Sequence, residues 1–554
     1  MPNILERFFV KILHGAVFSI AALPLLLGAA AQEQITVSTS DLRDGTCAGA
    51  FVRHSLDHVT TTAQPVRMFE SNGSGTGLGD LDSDGDLDIV LANLTLEATL
   101  LWNDGPLRFT SQRLNIGAPT RTVSIVDVDG DGSLDIVFTT QLGAPLYLRS
   151  TGTAVAGKRP EFLREPLMGV SRPAYSMDWA DVDADGDLDF AAASYDAELE
   201  LELKDTFMFG DRAGVFYYQQ VEGTFLPVRL ANASQGLVTY FFDADSDGRL
   251  DLLIGNDFAV PDYAWRWQGQ WVETNPVAVM THSTMSFDSA DLDNDGALEL
   301  LAVDMMPYAE DAVTLAAWQP LMEMMMAHPM VEGDPQVMEN VLLDAPTGDA
   351  ENIAASLGVS ATGWSWSAKF ADFDADGMVD LYVVNGMIAE DLFGHLPGGE
   401  LVEENQAFRN QSGLRFVAAP EWRLNATESG RGMSIGDLDG DGDPDIVVNN
   451  LLSASVLFEN QLCGGNDLLI DLRWPTSRNP FAIGATVELD TTIGTLTRRV
   501  RVGSGYASSD PATLHFGFPV DATVRSIRIL WPDGTEYVTD AIPDRPARML
   551  FTRE

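Results

Sequence analysis

Seven short segments of this chain carry acidic side chains at the spacing of a cation-binding loop. Each follows the pattern D-x-D-x-D-G-x-x-[DE], and we number them loops 1 to 7, starting at Asp80, Asp127, Asp181, Asp243, Asp291, Asp372 and Asp437. Calcium prefers about six to eight oxygen ligands. Carboxylates at positions 1, 3, 5 and 9, with the backbone carbonyl of position 7, would supply such a set. The repeated pattern therefore predicts Ca²⁺ as a cofactor.

The same five positions supply the predicted ligands in every loop. Position 7 varies in side chain, which fits a residue that contributes only its carbonyl, and position 6 is always glycine, which permits the sharp turn around an ion. The predicted metal-binding residues are Asp80, Asp82, Asp84, Asp86, Asp88, Asp127, Asp129, Asp131, Ser133, Asp135, Asp181, Asp183, Asp185, Asp187, Asp189, Asp243, Asp245, Asp247, Arg249, Asp251, Asp291, Asp293, Asp295, Ala297, Glu299, Asp372, Asp374, Asp376, Met378, Asp380, Asp437, Asp439, Asp441, Asp443 and Asp445.

An EF-hand is the obvious alternative for these loops, and position 12 excludes it. An EF-hand needs a bidentate glutamate there, whereas this chain has Leu91, Phe138, Ala192, Ile254, Ala302, Val383 and Val448. The residues after the loops form short apolar runs rich in β-branched side chains, which are typical of buried strands. Each loop is thus predicted to lead into a strand. Acidic surface turns without a metal are the other interpretation.

The charge argues against one class of partner, and the amino-terminal segment indicates export. The net charge is −49, and seven calcium ions, at 7 × 2 = +14, would leave −35; such acidity argues against nucleic acid as a partner. Residues 1–31 resemble a secretory signal, with basic Arg7 and Lys11, an apolar stretch and small residues before Gln32. An uncleaved anchor is the alternative. No later segment has the length of apolar sequence that spans a membrane. A secreted, periplasmic or cell-surface location is expected.

The spacing of the loops predicts a repeat fold. Successive loops start 47, 54, 62, 48, 81 and 65 residues apart, which is typical of propellers or solenoids. Between loops recur apolar runs broken by a polar or glycine-containing turn, as in LLWNDGPLRFT, the signal of a β-hairpin. One repeat is then a loop, a buried strand and a hairpin. We expect an all-β fold, with a seven-bladed β-propeller over residues 47–463.

The two cysteines bear on how the ring closes. The last hairpin, VLFENQLCGG, lacks a second strand, which TCAGAFVRHSLDHV near the amino terminus could supply. Cys47 and Cys463 would then lie at one hairpin turn and could form a disulfide, which an exported compartment permits. Two buried free thiols are the alternative.

Residues 305–340 interrupt the repeat with a helix-friendly, methionine-rich segment. A helical excursion is predicted there, and it accounts for the 81-residue spacing. Thioethers and imidazole suit Cu(I), so a periplasmic copper site is one hypothesis. An apolar patch packed on the propeller is the other, since methionine fills irregular gaps. The copper candidates are Met322, Met324, Met325, Met326, His328 and Met330.

The repeats and the tail each resemble a known family. The loop-and-strand units are similar to FG-GAP/VCBS repeats, and residues 464–554 resemble the ASPIC/UnbV domain through IGA, GSGY, HFG and WPDG at Ile483, Gly503, His515 and Trp531. This order is the layout of the cartilage acidic protein 1 family. The resemblance implies a secreted, calcium-binding propeller with a small carboxyl-terminal β-domain that acts in interactions, and it implies no agreed reaction.

The motifs favour binding over catalysis. The chain has no G-x-S-x-G, H-E-x-x-H or P-loop, so we expect no enzyme. We expect a monomeric binding or adhesion module for a protein or glycan. A secreted enzyme with its site in the propeller channel or the helical excursion is the alternative.

Trp265, Trp267 and Trp271 could stack on a sugar or pack between blades. His54 and His58 are four residues apart, but a shared ligand face is doubtful in a strand.

Overall fold

Every loop leads into a strand that begins at its position 9, as predicted. The strands form seven small antiparallel sheets, numbered by their loops, and β-branched residues favour the second strand in most of them. Sheet 1 comprises Thr76–Gly79, Asp88–Leu91, Ala98–Asn103 and Phe109–Leu114, and sheet 2 comprises Thr120–Val126, Asp135–Thr140, Leu146–Ser150 and Phe162–Glu165. Sheet 3 comprises Ser176–Ala180, Asp189–Ala193, Val215–Val221 and Thr224–Ala231, and sheet 4 comprises Gly236–Phe242, Asp251–Asn256, Tyr263–Trp267 and Trp271–Thr274. Sheet 5 comprises Ser286–Ala290, Glu299–Val303 and Val341–Leu343. Sheet 6 comprises Gly363–Ala371, Asp380–Asn385, Gln406–Asn410 and Phe416–Ala418, and sheet 7 comprises Gly430–Gly436, Asp445–Asn450, Ala454–Glu459 and Val52–Val59.

These elements are those of a computed structural model. It describes residues 34–554 except 96, 153–155, 209–211, 246, 259, 275–278, 327–334, 345–349 and 412–414. The predicted signal at 1–31 lies outside the described residues. Ile35–Glu554 form one compact unit.

The sheets are arranged like the blades of a propeller. The first strand of each sheet contacts the first strand of the next, and Gly430–Gly436 of sheet 7 contacts Thr76–Gly79 of sheet 1. The side chains between neighbouring sheets form apolar clusters, for example around Trp102 and Phe138 between sheets 1 and 2. The predicted all-β, propeller-like fold is confirmed.

The amino-terminal segment closes the ring. Val52–Val59 pairs antiparallel with Ala454–Glu459, with Val52 opposite Glu459, so residues from both ends of the ring share sheet 7. Cys47 and Cys463 lie beside this pairing and are joined in a disulfide. The strand that the sequence analysis found missing from the last hairpin is therefore the one supplied by the start of the chain.

The helices lie opposite the loops. Each loop joins the first strand of a sheet to the second. The helices lie in connections at the opposite strand ends, so the direction of the strands places the helices on the other face of the ring. We call this the helical face. They are Met68–Ser71, Asp196–Leu203, Asp205–Met208, Ala312–Met326, Ala354–Leu357 and Glu390–Phe393, with 3₁₀ turns at Pro397–Gly399 and Pro420–Trp422. Ala312–Met326 confirms the helical excursion. In the described part of the chain, no helix has the length and apolarity to cross a membrane.

Short two-residue strands complete the helical face. They are Met280–Thr281, Met305–Met306, Gln336–Val337, Met387–Ile388 and Glu400–Leu401. Met280–Thr281 pairs with Gln336–Val337, which ties the return of the helical excursion to sheet 4 and sheet 5.

The tail folds as two four-stranded sheets that share a core with the propeller. One contains Ile35–Asp41, Ala547–Arg553, Asn466–Arg473 and Leu514–Phe518; the other contains Thr495–Arg499, Thr486–Thr491, Val524–Leu530 and Glu536–Thr539. A single apolar cluster joins tail residues such as Phe516 and Trp531 to Trp179 and Phe190 of sheet 3. Residues 35–41, which the sequence analysis assigned to neither domain, belong to the tail sheet.

A hairpin of the tail fills the centre of the ring. Its strands are Gly503–Ser504 and Ser508–Ser509, and Ser509 pairs with Gly77 of sheet 1. The Gly505 amide donates to the Phe287 carbonyl of sheet 5 at 3.1 Å. Because the hairpin contacts the first strands of several sheets, the ring has protein rather than an open channel at this level.

Candidate metal centres

The position 1 aspartate folds each loop around itself. In loop 1, Asp80 Oδ1 accepts a hydrogen bond from the Asp84 amide at 3.0 Å and Oδ2 accepts one from the Gly85 amide at 3.1 Å. The Asp86 amide donates to Asp84 Oδ1 at 3.0 Å. Gly85 has φ +98°, which side-chain-bearing residues rarely adopt. This pattern explains why the sixth position is glycine in every copy.

The predicted ligands converge in the structure, at positions 1, 3 and 5 of loops 1, 3, 4 and 5 and at positions 1, 3 and 9 of loop 2. In five of the loops, one carboxylate oxygen from each of three acidic residues lies within 4.8 Å of the others; the groups are Asp80, Asp82 and Asp84; Asp127, Asp129 and Asp135; Asp181, Asp183 and Asp185; Asp243, Asp245 and Asp247; and Asp291, Asp293 and Asp295. Oxygen atoms at this separation can share one hard cation.

Several loop oxygens are buried without any hydrogen-bond partner among the described residues. They are Oδ1 of Asp181, Asp183, Asp187, Asp245, Asp374 and Asp443. Burying an unpaired carboxylate oxygen is costly. A bound cation would satisfy them, so the residues present fit calcium.

Two loops show how a carboxylate divides its oxygens between a fixed partner and the loop interior. Asp245 of loop 4 forms an ion pair with Arg266 through Oδ2 at 2.8 Å. Asp374 of loop 6 forms one with Arg409 through Oδ2 at 2.5 Å. In both residues the other oxygen is the buried, unpartnered one. The arginines orient the carboxylates and leave an oxygen of each free for a cation.

The electrostatics of the loops also favour a bound cation. Burial, helped by neighbouring carboxylates, raises the pKa of Asp80 to about 6 and that of Asp127 to about 8. The pKa of Asp437 is raised to about 7, first by burial and then by Asp439. A raised carboxyl pKa means that the anion is disfavoured where it lies. A divalent cation would reverse this effect.

Position 9 has a structural role that the sequence analysis did not predict. Asp88 Oδ2 accepts from the Leu81 amide at 3.0 Å, and Oδ1 accepts from the Asn103 amide at 2.9 Å. The same tie to the amide of position 2 recurs at Asp135, Asp251, Glu299, Asp380 and Asp445. Each carboxylate therefore fastens its loop and keeps at least one lone pair for a metal. Asp189 instead accepts from the Gln220 amide and from Tyr217 Oη.

Asparagines at the ends of third strands link adjacent loops. Asn103 Nδ2 donates to the Leu438 carbonyl in loop 7, Asn410 Nδ2 to the Leu292 carbonyl in loop 5, and Asn460 Nδ2 to the Phe373 carbonyl in loop 6. These asparagines were not among the residues predicted from the sequence. The recurrent WND, FRN and FEN at the ends of the predicted strands were the available signal.

Position 7 does not behave alike in all loops. Arg249 is exposed and its side chain pairs with Asp247, so only its carbonyl is available to a metal, as predicted. Ser133 Oγ donates to the Gly152 carbonyl. The side chains of Asp187 and Asp443 are largely or partly buried, and each has an unpartnered oxygen. In loops 3 and 7 the position 7 side chain is thus an additional candidate ligand.

The tail covers the loop face. Ser477 Oγ donates to the Gly186 carbonyl of loop 3 at 3.0 Å, and Arg548 donates to the Gly85 carbonyl of loop 1 at 3.0 Å. Arg43, from the segment after the first tail strand, pairs with Asp86 at 2.7 Å. The loops are therefore placed between the propeller and the tail, where their conformation affects both.

His54 and His58 do not share a site. His54 Nε2 lies 2.6 Å from Glu459, whereas His58 is buried and lies 2.8 Å from Thr99 Oγ1. His515 pairs with Asp467 at 2.8 Å. The copper hypothesis falls mostly on residues outside the described part of the chain, namely His328 and Met330 with the side chains of Met325 and Met326.

Comparisons with known proteins agree with this architecture. The ASPIC and UnbV family matches residues 475–545, and the FG-GAP-like repeat matches residues 80–138, 243–302 and 391–448. No curated relative matches the chain.

Solved structures give a weaker likeness. The chain is similar to crystal structures of BBS1N in complex with ARL6DN, soaked with lead or with mercury. The first is 9% identical, covers 76% of this chain and 98% of that chain, and has a TM-score of 0.36. The second is 7% identical, covers 76% and 99%, and has the same TM-score of 0.36. These scores are too low to support an argument. The family matches and the sheet topology together establish that this chain carries FG-GAP-like repeats and a carboxyl-terminal ASPIC and UnbV domain, which indicate a β-propeller protein-binding module.

Proposed function

We propose that this protein is an exported, calcium-binding propeller that binds a protein partner and catalyses no reaction. The observation that carries the calcium proposal is the convergence of carboxylates in the loops, with buried oxygens that have no other partner. Positions 1, 3, 5 and 9 and the position 7 carbonyl would hold the ion. Bound calcium would supply positive charge that offsets the repulsion between these carboxylates.

The chain's own residues explain what such an ion would stabilise. Position 1 of each loop closes the turn, and position 9 fastens the turn to its sheet. Asn103, Asn410 and Asn460 connect neighbouring loops, and the tail rests on loops 1 and 3. Holding the loops in one conformation therefore holds adjacent sheets and the tail together. A disulfide between Cys47 and Cys463 is consistent with export to an oxidising compartment.

The helical face is the better candidate for the partner. The tail occupies the loop face, whereas the helical face exposes apolar side chains, with Val313 81% exposed, Val402 59% and Leu201 52%. Contiguous exposed apolar patches are typical of protein-binding surfaces, so these side chains are the ones to test. A sugar-stacking platform has less support, since Trp265 is buried and Trp267 and Trp271 pack against Tyr217 between sheets 3 and 4.

Capture experiments with matched variants test the partner proposal. Calcium-loaded protein immobilised through its carboxyl terminus would be exposed to an extracellular extract, beside Val313→Asp and Val402→Asp variants. The control is Val520→Asp, a change at a side chain 73% exposed on the tail. We expect a protein retained by the wild type and the control and lost from both helical-face variants. Equal retention by all four proteins would contradict the assignment of this face.

A further inference from the structure

A cavity between the propeller and the tail is lined by residues of both. It has a volume of about 400 Å³. Its walls are apolar where Trp179, Phe242 and Leu514 contribute, and the backs of several loops complete it. Gly248 and Gly296, which also line it, are exposed in loops 4 and 5. The cavity is thus open to solvent between these two loops and large enough for a small organic molecule.

Most cations in this cavity already have a carboxylate partner. Arg501 pairs with Asp288 at 2.5 Å, and Lys369 pairs with Asp510 at 2.7 Å. Arg548 pairs with Asp471 at 2.6 Å. The first two pairs join the propeller to the tail and the third lies within the tail, and none of these three cations is free for a ligand.

Arg498 and Arg499 are the exceptions. Both line the cavity, and neither forms an ion pair with any described residue. Arg498 Nη1 donates to the Thr497 carbonyl at 2.9 Å, but its buried Nη2 has no partner. The buried Nε of Arg499 also has none. Burial lowers the pKa of both guanidinium groups, which is the sign of incompletely compensated positive charge.

The nearest opposing charges belong to the metal loops. The carboxylates that act on Arg498 are Asp372 and Asp291, and the one that acts on Arg499 is Asp243. All three are position 1 residues, of loops 6, 5 and 4. If these loops hold calcium, as proposed above, their negative charge is engaged by the ion. The two arginines, which line the cavity, are then left with unbalanced charge.

We propose that this cavity binds a small organic carboxylate, held by Arg498 and Arg499. A planar guanidinium group matches a carboxylate with two parallel hydrogen bonds. The apolar wall of the cavity would cover the hydrocarbon body of the ligand. This proposal rests on the calcium-binding function, because the cation in loops 4 to 6 is what leaves the arginines without a counter-charge.

Titration calorimetry with benzoate tests the site, with sulfate as a second anion that lacks an apolar body. The proteins are the full chain loaded with calcium, Arg498→Gln, Arg499→Gln and the control Arg525→Gln, whose arginine is exposed on the tail. We expect one benzoate per chain, weaker sulfate binding, and affinity for benzoate reduced about tenfold or more in the two cavity variants. The control should bind as the wild type does. Melting curves would confirm that each variant is folded.

Three outcomes would overturn the proposal. They are no benzoate binding by folded, calcium-loaded protein; binding unchanged in both cavity variants; or sulfate bound as tightly as benzoate. Elemental analysis of the same samples separates this failure from failure of the calcium proposal. A sample that contains calcium but binds no benzoate contradicts only the carboxylate site. Benzoate binding by a sample that contains no calcium would contradict the dependence on loop occupancy.

Discussion

At the scale of single residues, position 5 is the ligand that can be removed with least damage to a loop. Asp84 of loop 1 is exposed, and its Oδ1 accepts only the short-range hydrogen bond from the Asp86 amide. Asparagine can keep that bond but loses the negative charge. Position 9, by contrast, is buried and fastens the loop, so its replacement would confuse metal loss with misfolding.

We predict that Asp84→Asn reduces the calcium content by one ion per chain and lowers the melting temperature modestly at limiting calcium. Elemental analysis and melting curves measure these effects. Asp540→Asn, an exposed acidic residue of the tail, is the control. Unchanged stoichiometry and melting temperature in Asp84→Asn would show that the ligand assignment for loop 1 is wrong.

His58 gives a pH-dependent prediction that is independent of the loops. Burial lowers its pKa to about 4, outweighing the hydrogen bond to the Ala92 carbonyl; Arg113 lowers it further and Asp57 raises it. Between pH of about 4 and about 6.5 the unfolded chain binds a proton that the folded chain does not. The contribution of His58 to the free energy of unfolding is therefore lost as the pH falls through this window.

Denaturation of wild type and His58→Gln at pH 7 and pH 5 checks this sign. Between pH 7 and pH 5, the free energy of unfolding of the wild type should fall by about 2 kcal/mol more than that of the variant. The loop carboxylates titrate in both proteins, so their contribution cancels in the difference. An equal loss in the two proteins would contradict a buried, neutral His58.

Residue-level roles were only partly predictable. The spacing of acidic side chains identified the loops, because a cage of oxygen ligands requires that spacing. It could not reveal that Asp88 also fastens loop 1 to Asn103, since that contact joins a loop to a strand whose register depends on folding. The two unpaired arginines of the cavity were equally hidden, because their surroundings come from distant loops.

At the scale of elements, the hairpin at 503–509 has the largest structural effect for its length. Tyr506 is 1% exposed and lies at the centre of the ring. Its hydroxyl is 2.6 Å from that of Tyr175 and donates to the Asn72 carbonyl at 2.9 Å, and its ring packs 5.1 Å from that of Trp366. One side chain of the tail thus contacts several sheets.

Tyr506→Ala should lower the free energy of unfolding by about 3–5 kcal/mol, because it leaves a cavity and unpaired polar groups in the ring. Urea denaturation measures the change. Tyr537 is a half-buried tyrosine of the tail, and Tyr537→Ala should lower the free energy of unfolding by clearly less than Tyr506→Ala does. Similar losses in both variants would mean that the hairpin contributes little to the stability of the ring.

Elements that follow a loop were predictable, and elements that depend on distant partners were not. Apolar runs after each loop and hairpins such as 98–114 follow from local alternation and turn chemistry. Ile35–Asp41 pairs with Ala547–Arg553 from the other end of the chain, which no local pattern predicts. The glycine-rich hairpin of the tail has no periodicity, and its position requires the ring to exist first.

At the scale of the whole molecule, both ends of the chain hold the ring and tail together. Val52–Val59 completes sheet 7, Ile35–Asp41 completes a tail sheet, and the disulfide joins residues separated by 416 positions. Closing so long a loop restricts the unfolded chain, and on the entropic model this contributes at most about 6 kcal/mol.

Replacing both cysteines by serine, as Cys47→Ser with Cys463→Ser, should therefore lower the free energy of unfolding by up to about 6 kcal/mol and leave the calcium content unchanged. Denaturation of the variant and of reduced wild type should agree. A variant as stable as the oxidised wild type would contradict a stabilising bond across the ring closure.

The most direct test of the central claim is the calcium content of the purified protein, measured together with its melting temperature before and after chelation. The sequence has seven loops, and we predict several calcium ions per chain and a fall in melting temperature of about 10 °C or more when they are removed. Re-addition of calcium, and not of magnesium at the same concentration, should restore it. No bound calcium, with identical melting curves before and after chelation, would show that the loops are acidic turns without a metal.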